Sequence, residues 1–154
     1  MFSLRKQIIM NFVISNEQEI SQDNYLLVNR FMESVGKEGW FDMLHSDIIM
    51  HFPNAPMMGG QEILVGKDEV VAYLQNALAQ TDHLRFYNIE TWRTQDPNIF
   101  FTEYHATVRT GIGKHFQYVY VNQVMIKDGK INFVREYWDP RRRMADSMDF
   151  VFVR

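Results

Sequence analysis

Helical periodicity in the first half of the chain and strand alternation in the second predict an α+β domain, with helices laid on one face of a mostly antiparallel sheet. Three observations carry this. Apolar residues at helical spacing cluster before residue 80. From Leu84 onward, strand-like runs follow one another with only turn-like pieces between them. The last of those turns, Asp128-Gly129, is a strong two-residue hairpin signal.

In chain order, Leu27, Val28, Phe31, Met32 and Val35 form one helical stripe between Asp23 and Val35, and Gly36 ends it. Lys37 to Leu44 reads as a short second helix carrying Trp40, Phe41 and Leu44. Ile48 to Phe52 is β-branched and apolar, hence a strand, and Pro53, Pro56, Gly59 and Gly60 then impose a loop. Lys67 to Ala79 is a third amphipathic helix, with Val70, Val71, Leu74, Ala77 and Leu78 on its buried side. The strands that follow are Leu84 to Thr94, Ile99 to Thr110, His115 to Lys127 and Lys130 to Trp138. Asp139 and Pro140 suit the N-cap and first position of a short closing helix through about Phe150.

Both strand faces carry large apolar side chains, with Phe86 and Trp92 set against Tyr87 and Ile89. One face meets the helices. The other, bearing Tyr118, Tyr120, Tyr137, Arg135, Glu103 and His105, suits a subunit interface and predicts a homodimer through the outer face of the sheet. A strongly curved sheet wrapped around the N-terminal helices would leave a cone with a closed apolar end and an open mouth.

At 154 residues the chain fits one domain, and 12 Phe, 7 Tyr, 3 Trp and 10 Met supply both a core and a lined pocket. A formal charge of −3 and the lack of a basic stripe argue against nucleic acid. With no cysteine, disulfides, thiolate catalysis and cysteine metal sites are all excluded. His45, His51 and Asp47 do not match a metal spacing, so no metal is expected. Ile8 to Ile14 after Arg5-Lys6 bears a faint likeness to a signal peptide, but Asn11 interrupts it and no small-residue cleavage site follows. The reading is a cytoplasmic protein with no membrane span, in which residues 1–20 form a poorly ordered extension and residues 21–154 a single domain; a translation start at Met10 fits the same pattern.

The chemistry points to the last strand. Alternation puts Val134, Glu136 and Trp138 on one face and Phe133, Arg135 and Tyr137 on the other. A carboxylate among apolar neighbours has its charged form disfavoured by burial, an arrangement kept where a proton is used. The same pattern also fits a Glu136 paired with an arginine at a subunit contact. If the hairpin through Gly111 to Gly113 pairs Tyr104 with Val121, then Tyr104, Val119, Val121 and Glu136 share a face, and Tyr104 can hydrogen-bond an oxyanion; a Tyr packed in the core is the plainer reading, and one bulge reverses the face. His51 and His83 are the histidines placed to reach a pocket, although a lone His is more often structural. Trp40, Tyr73 and Trp138 suit the walls of a pocket for a flat ring, or simply the core.

Several short stretches, in order, resemble one family. Phe52-Pro53-Asn54-Ala55-Pro56, Gly66-Lys67-Asp68-Glu69, Phe86-Tyr87-Asn88-Ile89, Asp96-Pro97-Asn98 and Arg135-Glu136-Tyr137-Trp138-Asp139-Pro140 are similar to the nuclear transport factor 2-like superfamily, in its SnoaL-like and phenazine-biosynthesis A/B-like branch, from about Asn24 to Phe150. The resemblance implies a homodimer of cones built on a mixed, mostly antiparallel sheet, each enclosing a hydrophobic pocket, and chemistry without metal or organic cofactor. It implies an acid at Glu136, the position used by phenazine-pathway members. It also marks departures: epoxide hydrolases of the superfamily carry an Arg-x-Asp pair where this chain has Tyr104 and Ala106, and phenazine members carry a helix histidine where this chain has Tyr73. Epoxide opening and phenazine condensation are both disfavoured on those grounds. The expected function is isomerisation, cyclisation or dehydration of a small apolar or aromatic substrate in secondary metabolism. The other expectation is a non-catalytic binding or pathway accessory protein with the same pocket. A protein-interaction module is the least supported.

Overall fold

The computed structural model describes residues 4–109 and 115–141; within them, the side chains of residues 4–17, 82, 83, 108, 109 and 115–118 lie outside the description. Two α-helices, α1 (Leu4–Glu33) and α2 (Lys67–Ala79), pack against one sheet of six strands. The strands are β1 (Leu44–His51), β2 (Ile63–Val65), β3 (Asp82–Arg93), β4 (Ile99–Arg109), β5 (His115–Lys127) and β6 (Lys130–Trp138). Their spatial order is β2-β1-β6-β5-β4-β3. Every pairing is antiparallel except β1 with β6, so the sheet is mixed, as expected, and it stays open at β2 and β3.

The first helix extends back to Leu4, well ahead of the Asp23 start read from the apolar stripe. The segment Lys37 to Leu44 is not a helix of its own; a single 3-10 turn (Trp40–Met43) fills it and β1 begins at Leu44, earlier than the expected Ile48. Gly39, at φ 77, sets up that turn in a conformation that side chains disfavour. The helix Lys67–Ala79 is as expected. Glu69, three residues past the Gly66 N-cap, accepts from the Val65 backbone N–H at 2.8 Å and from Gln61 at 2.7 Å. These bonds hold its carboxyl below the ordinary carboxylate range and satisfy a backbone donor just ahead of the helix. Asp128 (φ 51) and Gly129 (φ 67) form the two-residue turn that the sequence announces, closing β5 onto β6 between Lys127 and Lys130. At the other end of β6, the Asp139 carboxylate accepts from the Arg141 N–H at 3.0 Å, the expected N-cap; the remainder of the predicted closing helix lies outside the described residues.

The core sits between the inner sheet face and the helices. Val28, Phe31 and Met32 of α1 and Val70 of α2 meet Ile48, Met50, Phe100, Val124, Ile131 and Val134 from the strands, all buried. Strand β3 breaks the alternation expected of it. Asn88 takes φ 50, and the register with β4 shifts between Tyr87 and Glu90. This bulge puts Phe86 and Ile89 on the inner side and sends Trp92 to the outer face beside Phe101. Among the described residues, no helix is long and apolar enough to cross a membrane.

Candidate functional site

Register decides which side chains meet. Strand β5 pairs with β4 so that Thr102 faces Asn122 and Tyr104 faces Tyr120, and with β6 so that Asn122 faces Glu136 and Tyr120 faces Trp138. Two rows therefore cross the inner face, Thr102–Asn122–Glu136 and Tyr104–Tyr120–Trp138. Tyr104 pairs with Tyr120, one residue from the expected Val121. Tyr104 thus shares Glu136's face, while Val121 lies on the outer face, 37 % exposed, and does not reach the pocket. The same register moves Tyr120 from the outer face, where it was expected, to the inner one.

The Tyr104 hydroxyl donates to Glu136 Oε2 at 2.6 Å, a separation typical of a hydroxyl on an ionised carboxylate. The two residues sit on strands separated by β5, roughly 10 Å apart in backbone terms, a gap that a phenol extends far enough to close. Tyr104 is 1 % exposed, its ring stacked on Tyr120 (5.2 Å, 8°) and tilted against Phe86 (4.5 Å). Burial pushes its hydroxyl well above the usual phenol range, and the Glu136 charge and hydrogen bond push the same way. Asn122 Nδ2 approaches the same hydroxyl at 3.4 Å, while Asn122 Oδ1 and Thr102 Oγ1 are buried with no hydrogen-bond partner. Leaving such an acceptor unpaired costs about 1 to 3 kcal/mol.

Beside this pair lies a cavity of ≈ 160 Å³. Met50 of β1 and Phe52 just past its end, Tyr73 and Leu74 of α2, and Leu84 and Phe86 of β3 all border it together with Glu136 and Tyr104. Strands β1 and β3 are separated by three others, so sharing one cavity requires a strongly curved sheet, as expected. The volume is close to that of an apolar cavity of about 150 Å³ known to take benzene, which fits one ring. Glu136 is the sole residue with a carboxyl, amine, guanidine or imidazole group among the described lining residues.

Of the other predicted residues, Trp40, Tyr73 and Trp138 line the cavity. Trp40 is fixed at the inner end, its indole N–H donating to the Phe31 carbonyl at 2.8 Å. Tyr73 stands at the rim, 40 % exposed, its ring 5.4 Å from Phe52. Trp138 sits 6.0 Å from Phe52, and its carbonyl accepts from Asn54, which ties the Pro53 loop to the end of β6. His51 does not enter the cavity. Alternation at the end of β1 and into the residue after it sends Met50 and Phe52 inward and His51 outward, where its Nδ1 accepts from Arg135 at 3.0 Å and its Nε2 meets Glu62 at 3.1 Å. Strand β3 carries the His83 backbone, but its side chain lies outside the described residues. Among the described residues, no three His, Asp or Glu side chains converge as they would around a metal ion.

Asn122 and Thr102 escape a reading of the sequence. Both residue sets of β5, Tyr120/Asn122/Val124/Ile126 and Val119/Val121/Gln123/Met125, are mixed polar and apolar, so alternation cannot choose the inner one.

Residues 28–134 match the SnoaL-like domain. The chain belongs to that family. Among curated proteins it is similar to an uncharacterized PhzA/B-like protein of Pseudomonas aeruginosa, 28 % identical over 118 residues that cover 75 % of this chain and 81 % of the relative. Among solved structures it is similar to a phenazine biosynthesis-related protein of Pseudomonas aeruginosa, with a TM-score of 0.76 at 19 % identity, covering 86 % of this chain and 89 % of that one. It is also similar to a candidate polyketide cyclase of Pseudomonas putida, with a TM-score of 0.68 at 16 % identity over 79 % of this chain and 96 % of that one. At such identities, these likenesses establish the nuclear transport factor 2-like cone fold.

Proposed function

We propose that this SnoaL-like protein is a cofactor-independent enzyme that moves a proton on a one-ring, uncharged substrate through Glu136. The observation that carries the reading is the 2.6 Å hydrogen bond from Tyr104 to Glu136 at the wall of an apolar cavity. The Glu136 carboxylate takes a proton from a carbon beside a carbonyl, and the electron pair moves onto the carbonyl oxygen as an enolate. Returning that proton to another carbon is isomerisation. Attack of the enolate carbon on a second carbonyl, which then takes up the proton, is cyclisation. Expulsion of a β-hydroxyl, leaving with the proton as water, is dehydration. In each case Tyr104, whose proton lies toward Glu136, supports the carboxylate rather than the substrate oxyanion.

A small enolisable ring ketone such as cyclohexanone tests this in D2O. The wild-type chain should speed deuterium entry next to the carbonyl, and Glu136→Gln, which keeps the shape and removes the base, should lower that rate by about 10² to 10⁴-fold. A rate unchanged in Glu136→Gln would overturn the reading. The second reading is a binding protein, favoured by the fact that Tyr104 and Glu136 satisfy one another without any substrate. Ring ketones that bind with no accelerated exchange would select it.

We also infer a homodimer through the outer sheet face. Trp92, Phe101, Val119, Val121 and Tyr137 all expose apolar surface there, Trp92 paired with Phe101 across β3 and β4 and Val121 with Tyr137 across β5 and β6.

A further inference from the structure

Asn122 lies beside the Tyr104–Glu136 pair with no task in the proposed chemistry, and we propose that it is a positioning residue: by donating to the Tyr104 hydroxyl it holds that hydroxyl's proton on the Glu136 carboxylate. The inference rests on Glu136 as proton carrier for its catalytic meaning, and on geometry alone for its physical content.

A phenol oxygen carries one proton and accepts others, so its neighbours decide where the proton points. The Tyr104 ring cannot turn away, because it lies between Tyr120 and Phe86. What remains is rotation of the hydroxyl. Facing it with a carboxamide NH2 offers a donor and no acceptor, which leaves the Glu136 carboxylate as its acceptor. Were the carboxamide turned over, its oxygen would compete for the same proton. The orientation seen instead leaves Asn122 Oδ1 without a partner in a residue only 2 % exposed. An unpaired buried acceptor calls for a reason, and the only side-chain hydrogen bond of Asn122 among the described residues is the one to Tyr104. Strand β5 is central in the sheet, with Thr102 and Glu136 opposite Asn122 on either side, so the backbone beneath the carboxamide is fixed.

Tyr104 of β4, Tyr120 of β5 and Tyr73 of α2 are the titratable residues that line the cavity with Glu136 among the described residues, while β1 contributes Met50 and the position just past its end Phe52. A donor that polarises Tyr104 strengthens its bond to the carboxylate and favours the ionised form of Glu136.

The test is a pH titration of the Glu136 side-chain carboxyl by carbon-13 NMR in the full chain, read in wild type, Asn122→Leu, Tyr104→Phe and the double variant. Asn122→Leu should raise the Glu136 midpoint by about one pH unit, tenfold in ionisation constant. Tyr104→Phe should raise it at least as far, and adding Asn122→Leu to Tyr104→Phe should change nothing more. A midpoint unmoved by Asn122→Leu, or moved equally in both backgrounds, would overturn the proposal. Asn122→Ala repeats the measurement should the leucine variant fail to fold. The wild-type proton spectrum gives an independent reading: the Tyr104 hydroxyl proton should show a close contact to the Asn122 carboxamide protons, and its absence would equally overturn the assignment. None of these readings needs turnover, so they stand or fall separately from the deuterium-exchange result.

Discussion

The Tyr104 proton is hard to remove, because burial and the Glu136 charge both oppose the phenolate. Its folded pKa lies above the ordinary 10.0, so the folded state binds this proton more tightly than the unfolded chain does. The stability that follows is fully present below pH ~10 and is lost as the pH climbs through the folded value. An ultraviolet titration of the folded chain should therefore show one tyrosine ionising late, and Tyr104→Phe should remove that late step. Disappearance of the step on some other Tyr→Phe change, and not on this one, would refute the assignment. Glu136 could be placed on the inner face from the sequence, because Val134 and Trp138 frame it on a strand whose turn is unambiguous. Tyr104 was reached through a pairing one residue off, and that slip also produced Val121. Asn122 was invisible, since an Asn in a mixed strand carries no mark of the phenol above it.

The strands and helices read best where local chemistry and tertiary demand agree. Helix α2 has an apolar stripe, a Gly66 N-cap and Glu69 placed to accept from the Val65 N–H, and its limits were legible. The three-residue β2 has too little length to show any period. Strand β3 misleads because Asn88 adds one residue at the bulge, reversing the face of all that follows, Trp92 included. The bulge needs a left-handed residue, which Asn tolerates and a β-branched side chain does not. Asn88→Ile should lower stability to denaturant by about 1 to 2 kcal/mol, whereas Asn88→Gly should stay within a few tenths. Equal effects of the two substitutions would show that the left-handed backbone is not what Asn88 supplies.

The assembled molecule is a bent sheet whose two faces differ, one closing on a cavity and one exposing apolar side chains. Inside, the bend lets residues of β1 and β3 close on one cavity, and neither its volume nor its mouth could be read from strand limits. Outside, the patch of exposed Trp92, Phe101, Val119, Val121 and Tyr137 gives the proposed dimer its contact. Val121→Arg, a charge inside that patch, should turn a particle of twice the chain mass into a monomer in analytical ultracentrifugation. It should leave the cavity side untouched, because Val121 points away from it. A dimer that survives Val121→Arg would place the contact elsewhere. Beneath both faces lies the claim that one carboxyl group in the cavity carries the proton. The measurement closest to it is the pH dependence of ring-ketone deuterium exchange in the wild-type chain, set against the Glu136 ionisation midpoint followed by carbon-13 NMR. The two curves should share a midpoint, and the exchange limb should vanish in Glu136→Gln; a limb that persists in Glu136→Gln, or lies far from the Glu136 midpoint, would contradict the account.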